Sequence, residues 1–136
     1  MVQQIEFSLP PLKRGIHLIS NEIMSQLPSL PASGLLHIFL KHTSAAISIN
    51  ENADPSVRTD MHISIENMIP ENQPHFTHLD EGPDDMPSHI KLALIGNELT
   101  VPITDNRLNL GTWQGFYFHE FRNNPAPRKL VMTIMS

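Results

Sequence analysis

The spacing of apolar and polar residues changes several times along this chain, and each change marks an element. Alternation across Gln3 to Leu9 predicts a strand, and Ile16 to Ile19 begins a second. Ser20 and Asn21 then supply capping side chains for a short helix through about Leu27, which Pro28 and Pro31 end. Leu35 to His42 is again strand-like. Ala45 to Asn50 follows after Thr43 and Ser44, a pair that favours a bend with hydroxyls available to the backbone. His42 falls at a strand end.

Helical spacing takes over at Asp54 and Pro55, an N-cap and first-turn pair. Beyond them Val57, Met61, Ile65 and Met68 recur as an inward face, while Arg58, His62 and Glu66, spaced by four, predict a solvated ladder of weak pairs. Pro70 to Pro83 has no apolar period. It reads as a long loop carrying His75 and His78, of the kind that in small domains is disproportionately functional. Asp84 and Asp85 open a helix that runs to about Ile95 and stops at Gly96. Glu98 to Ile103, a turn at Asp105 and Asn106, and Arg107 to Leu110 predict a hairpin. Thr112 to Arg122 and Lys129 to Met135 complete the sheet. Strands at both ends with helices between them predict an α+β fold: a single compact domain over residues 1–136, with a mixed or antiparallel, sandwich-like sheet and two or three helices.

Composition narrows the function classes. A chain of 136 residues buries about two-thirds of its unfolded surface, enough for one core. No apolar run approaches the roughly 20 residues that span a bilayer, so no membrane partner is expected. The start, MVQQIEFSLP, lacks the basic and apolar regions of a secretory signal, which makes a cytoplasmic location the expectation. With no cysteine, disulfides and thiolate metal sites are excluded, and any metal must be held by His, Asp or Glu. The net charge of −5 with scattered Lys and Arg lacks the basic stripe of a nucleic-acid binder. Arg58, Lys91, Arg122, Arg128 and Lys129 can still converge on a small anionic metabolite.

Candidate chemistry concentrates in three runs. KHTSAAISINENADPSV, from Lys41 to Val57, sets His42, Thr43, Ser44, Asn50, Glu51, Asn52 and Asp54 around a short apolar strand, more hydrogen-bonding side chains than a core strand needs. EGPDDMPSHIK, from Glu81 to Lys91, offers Asp84 and Asp85, as helix caps or as ligands, and His89. In LGTWQGFYFHEFR, from Leu110 to Arg122, alternation puts Gln114, Phe116, Phe118, Glu120 and Arg122 on one face and Trp113, Gly115, Tyr117, His119 and Phe121 on the other. A carboxylate beside a guanidinium at that strand end is either an anion-binding pair or a structural ion pair. Eight histidines are many for this length, but no HExxH run occurs, and a zinc site needs ligands that folding brings together.

Taken together, the three runs resemble the YjbQ-type secondary thiamine-phosphate synthase family, whose members share HTS-A-x-x-x-x-NEN-x-DP, DD-x-P-x-HIK and GTWQG-x-x-x-x-E-x-R runs. The resemblance implies His42, His78 and His89 as metal ligands for a divalent cation, zinc or magnesium. It implies Glu120, Arg122, Asp85 and Ser44 as catalytic residues, and Thr43, Asn50, Asn52, Lys91, Trp113 and Gln114 as ligand-binding residues. One departure is Phe121, standing where many members read EHR. The implied reaction joins a hydroxymethylpyrimidine diphosphate to a thiazole phosphate and releases pyrophosphate, in a homotrimer. Against that, an acidic chain with six glycines and no Gly-rich phosphate loop also fits a metal-dependent hydrolase, or a non-catalytic module that binds a metal or an anionic metabolite.

Overall fold

The computed structural model describes residues 1–136. The chain runs β1 (Val2–Leu9), β2 (Gly15–Leu18), α1 (Ser20–Gln26), β3 (Ser33–Leu40), β4 (Ala45–Glu51), α2 (Pro55–Met68), α3 (Asp85–Ile95), β5 (Glu98–Thr104), β6 (Arg107–Leu108), β7 (Gln114–Glu120) and β8 (Arg128–Met135). Five strands in the order β1-β8-β3-β5-β6 form one sheet and three in the order β2-β7-β4 form the other. Every pairing is antiparallel. The predicted α+β domain with an antiparallel sandwich is the observed one, and it has three helices. None of them is long and apolar enough to cross a membrane.

Period-two alternation builds the core. Leu36, Ile38 and Leu40 of β3, Val101 and Ile103 of β5, and Leu130, Met132 and Ile134 of β8 point inward from the larger sheet. Ala45, Ile47, Phe116 and Phe118 meet them from the smaller one, and Ile19, just before α1, and Ile23 within it close one side. The chain changes sheets at residues 41–44, where Thr43 and Ser44 make the predicted bend. The β5–β6 turn is also as expected: Asp105 and Asn106 both take positive φ, 51° and 63°, as a two-residue hairpin turn of right-handed strand twist requires.

Helices α2 and α3 cover the outer face of the smaller sheet, so β7 is buried on both sides from Gly115 to Glu120. Here two expectations change. The Arg58–His62–Glu66 ladder lies half-buried beside Val57, Met61 and Ile65, because stripes one residue apart both fall on the broad inward face of a helix. Arg58 sits over the Tyr117 ring at 5.9 Å, and Glu66 receives Lys91 Nζ at 2.8 Å and the Arg14 guanidinium at 2.6 Å. Met68, expected inside, is exposed at the end of α2. Beneath this layer His119 is buried, with Nε2 2.7 Å from Ser48 Oγ.

Candidate metal centre

The start of α3 is built for something other than capping. Asp84 makes no side-chain cap. Its Oδ2 instead receives the Asn123 backbone N–H at 2.8 Å and Arg122 Nε at 2.9 Å. Asp85, 1% exposed, pairs through Oδ1 with the same guanidinium, whose remaining nitrogen donates to the Glu81 carbonyl at 2.8 Å. Burial pushes both carboxyls up. For Asp84 the Asn123 N–H and Arg122 outweigh it, and for Asp85 the hydrogen bonds and the charges of His89 and Arg122 do, so both lie below the ordinary carboxylate value.

Asp85 Oδ2 faces two histidines, His78 Nε2 at 2.7 Å and His89 Nε2 at 3.0 Å. Asp85 and His89 are one helical turn apart on α3, and His78 comes over them from the long loop. His89 Nδ1 lies 2.5 Å from the Thr43 carbonyl oxygen, which only accepts, so Nδ1 carries the proton. A neutral His89 then presents the Nε2 lone pair to a carboxylate oxygen, acceptor against acceptor. Either a second proton on the ring or a cation shared by the three groups relieves that opposition.

The donor set fits a metal. The two Nε2 atoms and the carboxylate oxygen lie within 4.8 Å of one another, and a tetrahedral zinc with bonds near 2.1 Å separates its ligands by about 3.4 Å. To hold the ion, the observed 2.7 and 3.0 Å separations would open by about 0.7 and 0.4 Å. Two histidines and one carboxylate leave coordination positions open, as a catalytic site requires. With side-chain exposures of 47% for His78 and 30% for His89, the group is open to solvent on one side.

Next to it lies a second polar cluster. Glu120 on β7 and Arg128 on β8 both occupy core-facing positions, and they meet at the end of the sandwich with Nε–Oε1 at 2.9 Å and a second contact at 2.5 Å. Arg128 also donates to Ser44 Oγ at 3.1 Å, and the Arg122 N–H to Glu120 Oε2 at 3.3 Å joins the two clusters. Glu120 and Arg122 therefore do not pair through their side chains. β7 ends at Glu120, alternation stops there, and each charge takes another partner.

Of the three histidines expected to bind metal, the structure groups His78 and His89 and leaves His42 apart. His42 Nε2 accepts the Lys129 backbone N–H at 2.7 Å, so its lone pair is in use. Burial, then the Arg128 charge, lowers its pKa. Lys91, expected to bind ligand, is 1% exposed, bonded to Glu66 and 5.4 Å from the centre of the Phe121 ring. Thr43 contributes its carbonyl. Asn50, Asn52, Trp113 and Gln114 gather at the opposite end of the smaller sheet, roughly 20 Å away along β4. There Asn52 Nδ2 donates to the Gln114 carbonyl at 3.3 Å and Gln114 Oε1 accepts from Gly111 at 2.8 Å. Trp113 is 63% exposed and outside the strand.

A search for paired histidines misses the decisive spacing, which is Asp85 to His89, a carboxylate and an imidazole four apart on one helix. Arg128 as the partner of Glu120 carries no local signal, because the pairing depends on the stacking of the two sheets.

The family model described as "UPF0047 protein YjbQ-like" matches residues 4–136. The UPF0047 protein YjbQ of Salmonella typhimurium is 45% identical over 136 residues, covering 98% of each chain. An uncharacterized conserved protein of the YjbQ/UPF0047 family from Clostridium acetobutylicum superposes with a TM-score of 0.80 at 33% identity, covering 96% of this chain and 99% of its own. A conserved hypothetical protein from Thermus thermophilus gives 0.81 at 29%, covering 93% and 97%. With nearly its full length matched in sequence and in fold, the chain belongs to the UPF0047 family of YjbQ-like proteins.

Proposed function

We propose that this protein is a small metal-dependent enzyme whose centre is His78, Asp85 and His89 and whose substrate is a small anionic metabolite. The observation that carries the reading is the 2.5 Å approach of His89 Nδ1 to the Thr43 carbonyl, which assigns the ring proton to Nδ1 and leaves Nε2 as a ligand beside His78 Nε2 and Asp85 Oδ2. A bound divalent ion would supply Lewis acidity toward an oxyanion. Around it, Arg122 holds Asp85 from behind and the Thr43 carbonyl fixes the His89 ring.

The specific reaction that the sequence resemblance implies, formation of thiamine phosphate with release of pyrophosphate, would place the leaving diphosphate at this centre. One observation favours metal-assisted hydrolysis as a second reading. Arg122, Arg128 and Lys91 are each committed to carboxylates, so those three cations are not left over for a second phosphorylated substrate. Pyrophosphate release that requires both the pyrimidine diphosphate and the thiazole phosphate supports the synthase. Turnover of a single ester without the second substrate supports the hydrolase.

Metal content decides the shared premise. Tag-free wild type and His42→Ala should carry metal near one equivalent by elemental mass spectrometry, whereas His78→Ala, Asp85→Asn and His89→Ala should lose it while staying folded. Wild type that takes up no metal after loading with zinc, manganese or magnesium overturns the reading. We further propose that the working unit is a homotrimer. Supporting this, the outer face of the larger sheet is uncovered and exposes Leu35, Phe39 and Met135. Sedimentation equilibrium showing a monomer at micromolar concentration would remove that part.

A further inference from the structure

Helix α3 carries two stripes side by side. Asp85 and His89 form the polar one. Met86 and Ile90, each one residue further on, form an apolar one beside it. The long loop treats both alike: His78 comes over the polar stripe, and His75 and Phe76 lie beside the apolar one, with their rings edge to face at 4.8 Å. Between loop and helix is a cavity of about 180 Å³ lined by His75, Phe76, Thr77, His78, Met86 and Ile90. His78 belongs to both the metal group and the cavity wall, so the two are continuous.

We infer that this cavity receives the non-reacting part of the ligand, and that the ligand is a small molecule joining one ring, or a compact branched apolar group, to an oxyanion head. The inference rests on the metal reading above, which places that head at His78, Asp85 and His89. Size sets the ring count. An apolar cavity near 150 Å³ accommodates benzene, so this one has room for a single ring with a short link. Chemistry sets the ring's polarity: Phe76, Met86 and Ile90 offer a ring face, a thioether and a branched aliphatic, and no charged side chain except a protonated histidine lines the wall. The two stripes on one rigid helix fix the distance between head and ring, which makes the pocket a selector of ligand length as well as of size.

Hydroxamates with a common metal-binding head and different tails test this on the zinc-loaded protein by calorimetry. Benzohydroxamate should bind about tenfold or more tightly than acetohydroxamate, from the apolar area its ring buries, and 2-naphthohydroxamate should show no further gain. Met86→Trp, which fills the cavity, should bring benzohydroxamate down to the affinity of acetohydroxamate and leave acetohydroxamate unchanged. Ile90→Trp provides a second filling variant should the first not fold, and retained acetohydroxamate binding marks either as intact. Equal binding of the methyl and phenyl compounds to metal-loaded wild type, or a phenyl advantage that survives both fillings, overturns the inference and leaves the metal centre standing. Failure of both compounds to bind a protein that retains no metal overturns the metal reading, and this inference with it.

Discussion

Asp85 divides its two oxygens between opposite roles, with Oδ1 held by Arg122 and Oδ2 offered to two imidazoles. Glu120, one strand away and equally buried, has both oxygens consumed by Arg128. The two carboxylates should respond differently to substitution. Glu120→Gln should cost about 3–5 kcal/mol in denaturant unfolding, since it strands a buried guanidinium, while metal content per folded molecule is unchanged. A loss of metal without loss of stability would contradict this division. His119 gives a second prediction. Burial, followed by the charges of His62 and His17, pushes its pKa down to about 4, below the ordinary 6.5, so the native state holds it neutral while the unfolded chain takes up its proton first. The stability it contributes is complete above pH 6.5 and is lost as pH falls from 6.5 toward 4, up to about 3 kcal/mol. His119→Gln should flatten the pH dependence of unfolding in that window; an unchanged slope would show that the proton goes elsewhere.

Gly115 shows how closely the elements are fitted. A Cβ there would stand 2.7 Å from Asn52 Cβ and 2.9 Å from Leu18 Cδ1, so Gly115→Ala should push β7 away from its neighbours and cost about 1–3 kcal/mol, measured as a fall in the unfolding midpoint at unchanged slope. How far the elements could be read in advance depends on where their information lies. The β5–β6 hairpin was legible because Asp105 and Asn106 tolerate the positive φ that its turn demands, a purely local property. The strands were legible from alternation. The polar contents of the α2 layer were not, because Arg58, His62 and Glu66 read as solvated until Lys91, Arg14 and Tyr117 are known to lie opposite them. The candidate centre was half legible: His78, His89 and Asp85 stand in the chain's most polar runs. What separates them from Asn52 and Gln114 is which end of β4 each one reaches, and what separates them from His42 is the Lys129 N–H that occupies its ring nitrogen, both facts of sheet packing that no periodicity encodes.

As one body, the domain is a two-sheet sandwich with chemistry at one end, and its global stability should register the metal. Zinc at a hundredfold over its dissociation constant should raise unfolding free energy by about 2.7 kcal/mol, a shift absent from His89→Ala. A wild-type midpoint insensitive to zinc at that excess would refute the linkage. A more local effect follows from where His78 sits. The connection between α2 and α3 is tied back to the helix by His78 on Asp85 and by the Glu81 carbonyl on Arg122. A metal held by His78, Asp85 and His89 is therefore also a clasp, closing a short loop of backbone whose two ends it grips. A chelator would then unfasten one segment and leave the rest folded. In the presence of chelator, a protease should nick the chain between residues 70 and 83 well before the sandwich melts, and added zinc should protect those bonds.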